Sequence, residues 1–194
     1  MFSRLRKRPA GFTLIEMLIA VGLTGAIAAF GFNFYVSMHN TTLSQQDISD
    51  MQQASRSCLE EITNTLRMGG FKIDTAHVPF QVVADTLWVY YSNTKPMDTV
   101  MYYLTPNTVL GPSAPNGWKP KYLMKKVNSQ AAGIFADVVN SIRYTAVDSA
   151  TMTVSVTTQT PKADEAWKHN SGYRSYTSTG RVTIRNSYFQ NIEK

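Results

Sequence analysis

The hydrophobic pattern of the chain begins with one long apolar run, which extends from Phe12 to about Val36. Its polar interruptions are Thr13, Glu16, Thr24 and Asn33. About 20 mostly apolar residues are enough for a helix to cross a bilayer. The run therefore predicts a transmembrane helix over residues 12–36.

The apolar positions become periodic in the next segment, residues 37–70. Between Ile48 and Leu66 they recur at steps of three and four, and polar side chains fill the opposite face. This spacing predicts an amphipathic second half of the same helix, and Gly69-Gly70 signals its end. The poor helix formers of Ser37–Ser44 favour a break between the two halves.

The remaining residues, 71–194, alternate apolar and polar positions and are rich in β-branched and aromatic side chains. The first two expected strands, Phe80–Ser92 and Thr99–Leu104, form a pair. Lys121–Val127 is the next, and Ile134–Asp148 is expected to lead into another. The last two are Thr151–Gln159, with Met152, Val154 and Val156 on one face, and Arg181–Asn186. Residues 105–121 and 161–180 are expected to be loops. The predicted fold class is α+β: a long amino-terminal helix packed on a carboxyl-terminal antiparallel β-sheet domain.

Positive charge is concentrated at the amino terminus of this 194-residue chain, whose formal net charge is +6. The first eight residues contain four basic side chains, Arg4, Arg6, Lys7 and Arg8. The next basic residue is Arg56, so the positive-inside rule predicts a cytoplasmic amino terminus. Without this cluster the chain has 15 basic and 13 acidic residues, so its charge is weak evidence for nucleic-acid binding. Residues 32–40 offer no convincing signal-peptidase site, which indicates an uncleaved anchor.

Glu16 is the acidic residue within the apolar run. A carboxylate in a membrane helix is costly, so Glu16 is a candidate functional residue unless it lies shallow enough to reach the interface. It ends the segment GFTLIE, Gly11–Glu16, which follows a short basic leader. This segment resembles the class III signal of type IV pilins and type II secretion pseudopilins.

The resemblance implies that a prepilin peptidase removes residues 1–11 by cutting between Gly11 and Phe12, and that it N-methylates Phe12. Glycine allows the backbone to approach the enzyme closely, and the leader's charges hold it at the anionic cytoplasmic leaflet. The new amine of Phe12 is then expected to pair with Glu16 of a neighbouring subunit, because pairing relieves the desolvation of both charges. Glu16 is thus expected to be unpaired until a filament assembles.

Three later segments resemble parts of PulJ- and PilW-type minor pilins. Leu59–Phe71 resembles the end of their long helix, and residues 135–144 resemble the segment that opens their carboxyl-terminal sheet. Arg181–Asn186 resembles their last strand. The resemblance implies a minor pilin that helps prime or cap a type IV pilus. Its expected partners are the prepilin peptidase, other minor and major pilins and the inner-membrane assembly platform. Its expected location is the cytoplasmic membrane and then an extracellular or periplasmic filament.

The chemistry of an enzyme is not expected. His39, His77 and His169 lack metal-ligand spacing, and no phosphate-binding glycine loop or nucleophile elbow occurs, so no catalytic residue, metal or cofactor is predicted. The single cysteine, Cys58, is expected to be a small buried hydrophobe. Trp118–Lys126 mixes aromatics and lysines, but a solvated strand face explains this equally well, so nucleic acid is not an expected partner.

Further interpretations remain open from the sequence. A minor pseudopilin of a type II secretion system and a subunit of a DNA-uptake filament would use the same signal, whereas a membrane-anchored enzyme is disfavoured because no catalytic constellation occurs. Another interpretation is a membrane-anchored receptor or binding module for DNA or a surface, whose helix is only a tether and whose leader stays attached.

Overall fold

A computed structural model describes residues 11–73, 78–92, 97–106, 121–148, 150–164 and 167–184. Its elements in chain order are helix α1 (Leu14–Met68), strands β1 (Phe80–Val83), β2 (Thr86–Tyr91), β3 (Asp98–Pro106), β4 (Lys121–Val127), β5 (Gly133–Ala146) and β6 (Thr151–Gln159), a 3-10 helix (His169–Gly172) and strand β7 (Ser175–Thr183). The chain forms two compact units, Met1–Ser44 and Gln45–Lys194.

Helix α1 is uninterrupted from Leu14 to Met68, so the predicted break at Ser37–Ser44 is wrong. The side chains of two threonines in this segment hydrogen-bond to backbone carbonyls of the preceding helical turn, so they do not disrupt the helix. The hydroxyl of Thr41 donates to the Ser37 carbonyl and that of Thr42 donates to the Met38 carbonyl, each at 3.0 Å. These bonds give the polar side chains partners without opening a turn of the helix.

The predicted end of the helix at Gly69-Gly70 is confirmed. Gly70 adopts a φ of 80°, which is accessible to glycine but strained for other residues. The Phe71 amide donates to the Met68 carbonyl at 3.1 Å, which satisfies one of the last free carbonyls of the helix.

The seven strands form one antiparallel sheet in which each strand pairs with the next in sequence. The predicted strands at Lys121–Val127 and Thr151–Gln159 are confirmed as β4 and β6. Phe80–Ser92, predicted as one strand, is instead the hairpin of β1 and β2. Its two turn residues, Ala84 and Asp85, have φ values of 45° and 63°, as a tight hairpin requires.

Two other strand boundaries differ from the predictions. The segment expected to lead into a strand is itself the long strand β5, which extends from Gly133 to Ala146. Strand β7 begins at Ser175, inside the predicted polar loop, and ends at Thr183. Residues 185 and 186 of the predicted last strand and most of the predicted loop at 105–121 lie outside the described residues.

The core of the second unit lies between one stripe of the helix and one face of the sheet. The helix contributes the fully buried Cys58, Ile62 and Leu66, which pack with sheet residues such as Leu123 and Val154. Met152, Val154 and Val156 are all buried, so their predicted common face is confirmed. The α+β fold class, with a long helix packed on an antiparallel sheet, is therefore confirmed.

Nine neighbouring outward positions of the last three strands form cross-strand rows of serine, threonine and arginine. Their side chains point away from the core because the residues between them, such as Ile142, Val154 and Val182, are buried. We call this surface the hydroxyl face; its rows are Ser141–Thr157–Thr177, Arg143–Ser155–Thr179 and Thr145–Thr153–Arg181.

Candidate processing and docking site

The candidate site lies at the start of helix α1, where Gly11, Phe12 and Thr13 precede the first helical residue, Leu14. All four residues are exposed, and the Phe12 side chain is 84% exposed. A Cβ atom added at Gly11 would meet no other atom within 4 Å. Packing within the described chain therefore does not require glycine at this position.

Glu16 and Thr13 form a capping box at the helix start. The carboxylate oxygen Oε2 of Glu16 accepts hydrogen bonds from the Thr13 amide at 2.8 Å and from the Thr13 hydroxyl at 2.9 Å. The Thr13 hydroxyl in turn accepts a hydrogen bond from the Glu16 amide at 3.3 Å. These reciprocal bonds satisfy amide groups that a helix amino terminus otherwise leaves unpaired.

The capping box gives Glu16 neutral hydrogen-bond partners within its own chain, which were not predicted from the sequence, while the charge pair with a neighbouring subunit stays a prediction. Its carboxylate already has partners within its own first turn, and these use Oε2. The spacing Thr-x-x-Glu in front of an apolar run is itself a signature of a capping box, so the sequence contained this signal. Within the described residues the other oxygen, Oε1, has no hydrogen-bond donor.

The helix that follows the site is apolar on all sides. Consecutive large hydrophobic residues are each more than half exposed, including Leu14, Ile15, Leu18, Ile19, Val21, Leu23, Ile27 and Phe30. Thr24, a polar side chain in this run, donates its hydroxyl to the Ala20 carbonyl at 2.7 Å. Within the described chain this is one helix long and apolar enough to cross a membrane, judged by length and composition.

The remaining predicted site residues are the leader's basic cluster, Arg4, Arg6, Lys7 and Arg8, and they lie outside the described residues. The structure therefore brings together Thr13 and Glu16, with Gly11 and Phe12 immediately before them in the chain.

A second polar cluster, which the sequence patterns did not predict, joins the helix to the sheet. Glu61 accepts hydrogen bonds from the Lys125 ammonium at 2.6 Å and from the Tyr102 hydroxyl at 3.0 Å. The Tyr102 oxygen also lies 2.8 Å from the Thr65 hydroxyl. The hydrogen bond from Lys125 is the main reason that the pKa of Glu61 lies below its ordinary value.

Cysteine and histidine occupy structural or surface positions. Cys58 is fully buried, as predicted, and burial raises the pKa of its thiol to about 12, so the thiol stays protonated and unreactive. The His39 ring stacks on Tyr35 and the His169 ring lies against Trp167, while His77 is outside the described residues. In the part of the chain that the structure describes, no three His, Cys, Asp or Glu residues form a group that could hold a metal ion.

Comparison with known protein families matches residues 6–32 to the prokaryotic N-terminal methylation motif. The matched segment contains Gly11, Phe12 and Glu16 together with the first turns of the apolar helix. Searches among curated proteins and among solved structures found no significant match. The chain thus carries an N-terminal methylation motif that includes the start of an exposed apolar helix, and this combination indicates a type IV pilin-like protein or a pseudopilin.

Proposed function

We propose that this protein is a minor pilin of the PulJ/PilW type that helps to prime or cap the assembly of a type IV pilus. The observation that carries the proposal is the Gly11–Glu16 segment, which lies inside the matched motif and leads into the first turn of the apolar helix. The protein acts as an assembly subunit and not as an enzyme, and it needs no cofactor.

The first step of the proposed function is processing at the membrane. The apolar helix, residues 12–36, spans the cytoplasmic membrane once, and the basic leader stays in the cytoplasm. The prepilin peptidase cuts between Gly11 and Phe12 and methylates the new amine. The exposure of Gly11 and Phe12, ahead of the first helical residue, supports access of the peptidase to the bond between them.

The second step is docking into a filament, in which the amine of Phe12 of one subunit pairs with Glu16 of another. The capping box supports a specific geometry for this pair. Because Thr13 occupies Oε2 of Glu16, the incoming ammonium group is received by Oε1. A subunit can then keep its helix cap while it docks. The Glu16 carboxylate leaves water with Thr13 bonded to Oε2 and the ammonium group bonded to Oε1.

Intact-mass measurement on the protein from membranes tests the processing step. We expect the loss of residues 1–11 and the addition of one methyl group, and we expect Gly11→Ala to slow or abolish the cut. An intact leader on the mature protein would support the tether interpretation and contradict the proposal.

Incorporation into filaments tests the docking step. We expect Glu16→Ala to be cleaved normally but to enter filaments poorly, because the docking charge is missing. Asp47→Ala, at another acidic position of the same helix, is the matched control and should be incorporated normally. Normal incorporation of Glu16→Ala would show that the pair does not form.

A strain that lacks this protein distinguishes a pilus from a secretion system. Loss of surface pili and twitching with normal protein secretion is the expected result. Normal pili with secreted enzymes retained in the periplasm would instead make the protein a pseudopilin.

A further inference from the structure

The outward side of the β-sheet is divided into two halves of different composition. On β2, β3 and β4 the outward positions include Trp88, Met101, Tyr103, Tyr122 and Met124. On β5, β6 and β7 nine neighbouring outward positions form the hydroxyl face, and each carries serine, threonine or arginine. Ile134, which lies opposite Met124 at the start of β5, is an exposed apolar residue outside these rows. High β propensity explains single threonines, but it does not explain why lysine and glutamate, the usual solubilising side chains near a sheet edge, are missing from all nine positions.

The hydroxyl groups of this face are ordered by the strands that carry them. The Ser155 and Thr179 hydroxyls lie 3.0 Å apart, and the Thr157 and Thr177 hydroxyls lie 2.9 Å apart. A hydrogen bond between two hydroxyls uses one proton and one lone pair, so each pair still offers a donor and several acceptors to an outside group. The face thus presents a regular array of groups that can both donate and accept hydrogen bonds.

The charged side chains of the hydroxyl face are both positive. Arg143 and Arg181 are exposed and lie two strands and one row apart, which corresponds to roughly 12 Å between their Cα atoms. Asp148, in the turn after β5, accepts a hydrogen bond from the Ala150 amide at 2.8 Å and borders the face near Arg181. Arginine binds carboxylates through paired hydrogen bonds, so the face complements a ligand with spaced carboxylate groups.

We propose that the hydroxyl face binds an anionic polysaccharide that contains uronic acid units. Its carboxylates pair with Arg143 and Arg181, and its sugar hydroxyls exchange hydrogen bonds with the serines and threonines between them. No aromatic side chain stands at the nine positions, which disfavours stacking of nucleic-acid bases. No apolar side chain stands there either, which disfavours insertion into a lipid surface.

The test is binding of a fluorescent polyuronate oligosaccharide to the full-length chain in detergent, followed by polarisation. All variants carry glutamine at the four basic leader positions, so that the leader does not bind the anionic probe. We expect Arg143→Ala and Arg181→Ala each to weaken binding about tenfold, since each loses a charge-assisted hydrogen bond. Lys126→Ala on β4 is the matched charge control, because this lysine lies on the other half of the outward side, and it should change binding less than about twofold.

The hydroxyl contribution is tested by Thr157→Val combined with Thr177→Val, which keeps the side-chain shape but removes both hydroxyls. We expect this double variant to weaken binding several-fold even at high salt, where charge attraction is screened. Thr105→Val on β3 is the control and should bind as the parent does. Equal effects of Arg143→Ala and Lys126→Ala, or unchanged binding in the arginine variants, would overturn the proposal. Binding of inorganic polyphosphate with the same affinity and no effect of the threonine variants would reduce it to nonspecific charge attraction and also overturn it.

Discussion

Removal of the hydroxyl group is expected to destabilise the protein at Tyr102 but not at Tyr144. Both tyrosines lie on the core side of the sheet, on β3 and β5, and both hydroxyl groups are shielded from water. They differ in their partners. The Tyr102 hydroxyl donates to Glu61 and lies against the Thr65 hydroxyl, whereas the Tyr144 hydroxyl has no hydrogen-bond partner in the described structure.

The magnitudes follow from these partners. Tyr102→Phe removes a hydrogen bond to a charged group and leaves Thr65 without its tyrosine partner, so we expect the free energy of unfolding to fall by about 2 kcal/mol. Tyr144→Phe removes a buried hydroxyl that makes no hydrogen bond, so we expect the free energy of unfolding to stay unchanged or to rise by up to about 1 kcal/mol. In a unit of this size the two melting temperatures should differ by roughly 4 to 12 °C.

Thermal unfolding of the full-length chain in mild detergent, followed by tryptophan fluorescence, measures this difference. All three tryptophans lie within Gln45–Lys194, so the signal reports on the unit that contains both tyrosines. Thr65→Val combined with Tyr102→Phe is the coupling control, and the double variant should lose less than the sum of the single losses. Equal destabilisation by Tyr102→Phe and Tyr144→Phe would refute the reasoning, because it would mean that the hydrogen bonds of Tyr102 contribute nothing beyond packing.

Three further variants test other features of the same unit. The pKa of Glu61 is lowered, chiefly by the Lys125 hydrogen bond. The ionised Glu61 therefore stabilises the fold above about pH 4.5, and this stabilisation is lost as the pH falls through the folded-state pKa. In melting experiments, Glu61→Gln should lose less stability than the parent between about pH 6 and pH 3. Ala84→Asn combined with Asp85→Gly should raise the free energy of unfolding by about 1 kcal/mol in urea titrations, because both positions have positive φ, which asparagine and glycine adopt more easily. An unchanged urea midpoint would show that the turn is not strained. Gly69→Ala should lower the free energy of unfolding by about 1 to 2 kcal/mol, because the added Cβ would lie 3.0 Å from the Leu66 carbonyl oxygen and 3.1 Å from the Pro79 carbonyl oxygen. Wild-type stability of this variant would show that this end of the helix adjusts freely.

Local sequence carried the information for the features that depend on neighbouring residues. The apolar run, the amphipathic stripe around Ile62 and the stop at Gly69-Gly70 are local periodicities and local backbone preferences. The buried alternation of Met152, Val154 and Val156 is local in the same way. The capping box of Thr13 and Glu16 also belongs to this class, since its partners are three residues apart.

The contacts between distant segments emerged from the folded chain and not from local sequence. The division of Phe80–Ser92 into two strands depends on a turn at Ala84, a residue whose type gives no turn signal. Glu61 and Lys125 are 64 residues apart, so their contact depends on where the helix crosses the sheet. The rows of the hydroxyl face likewise depend on the register of β5, β6 and β7, and a shift of one residue would turn these side chains into the core. Register and packing are collective properties of the folded chain, which is why local pattern alone could not supply them.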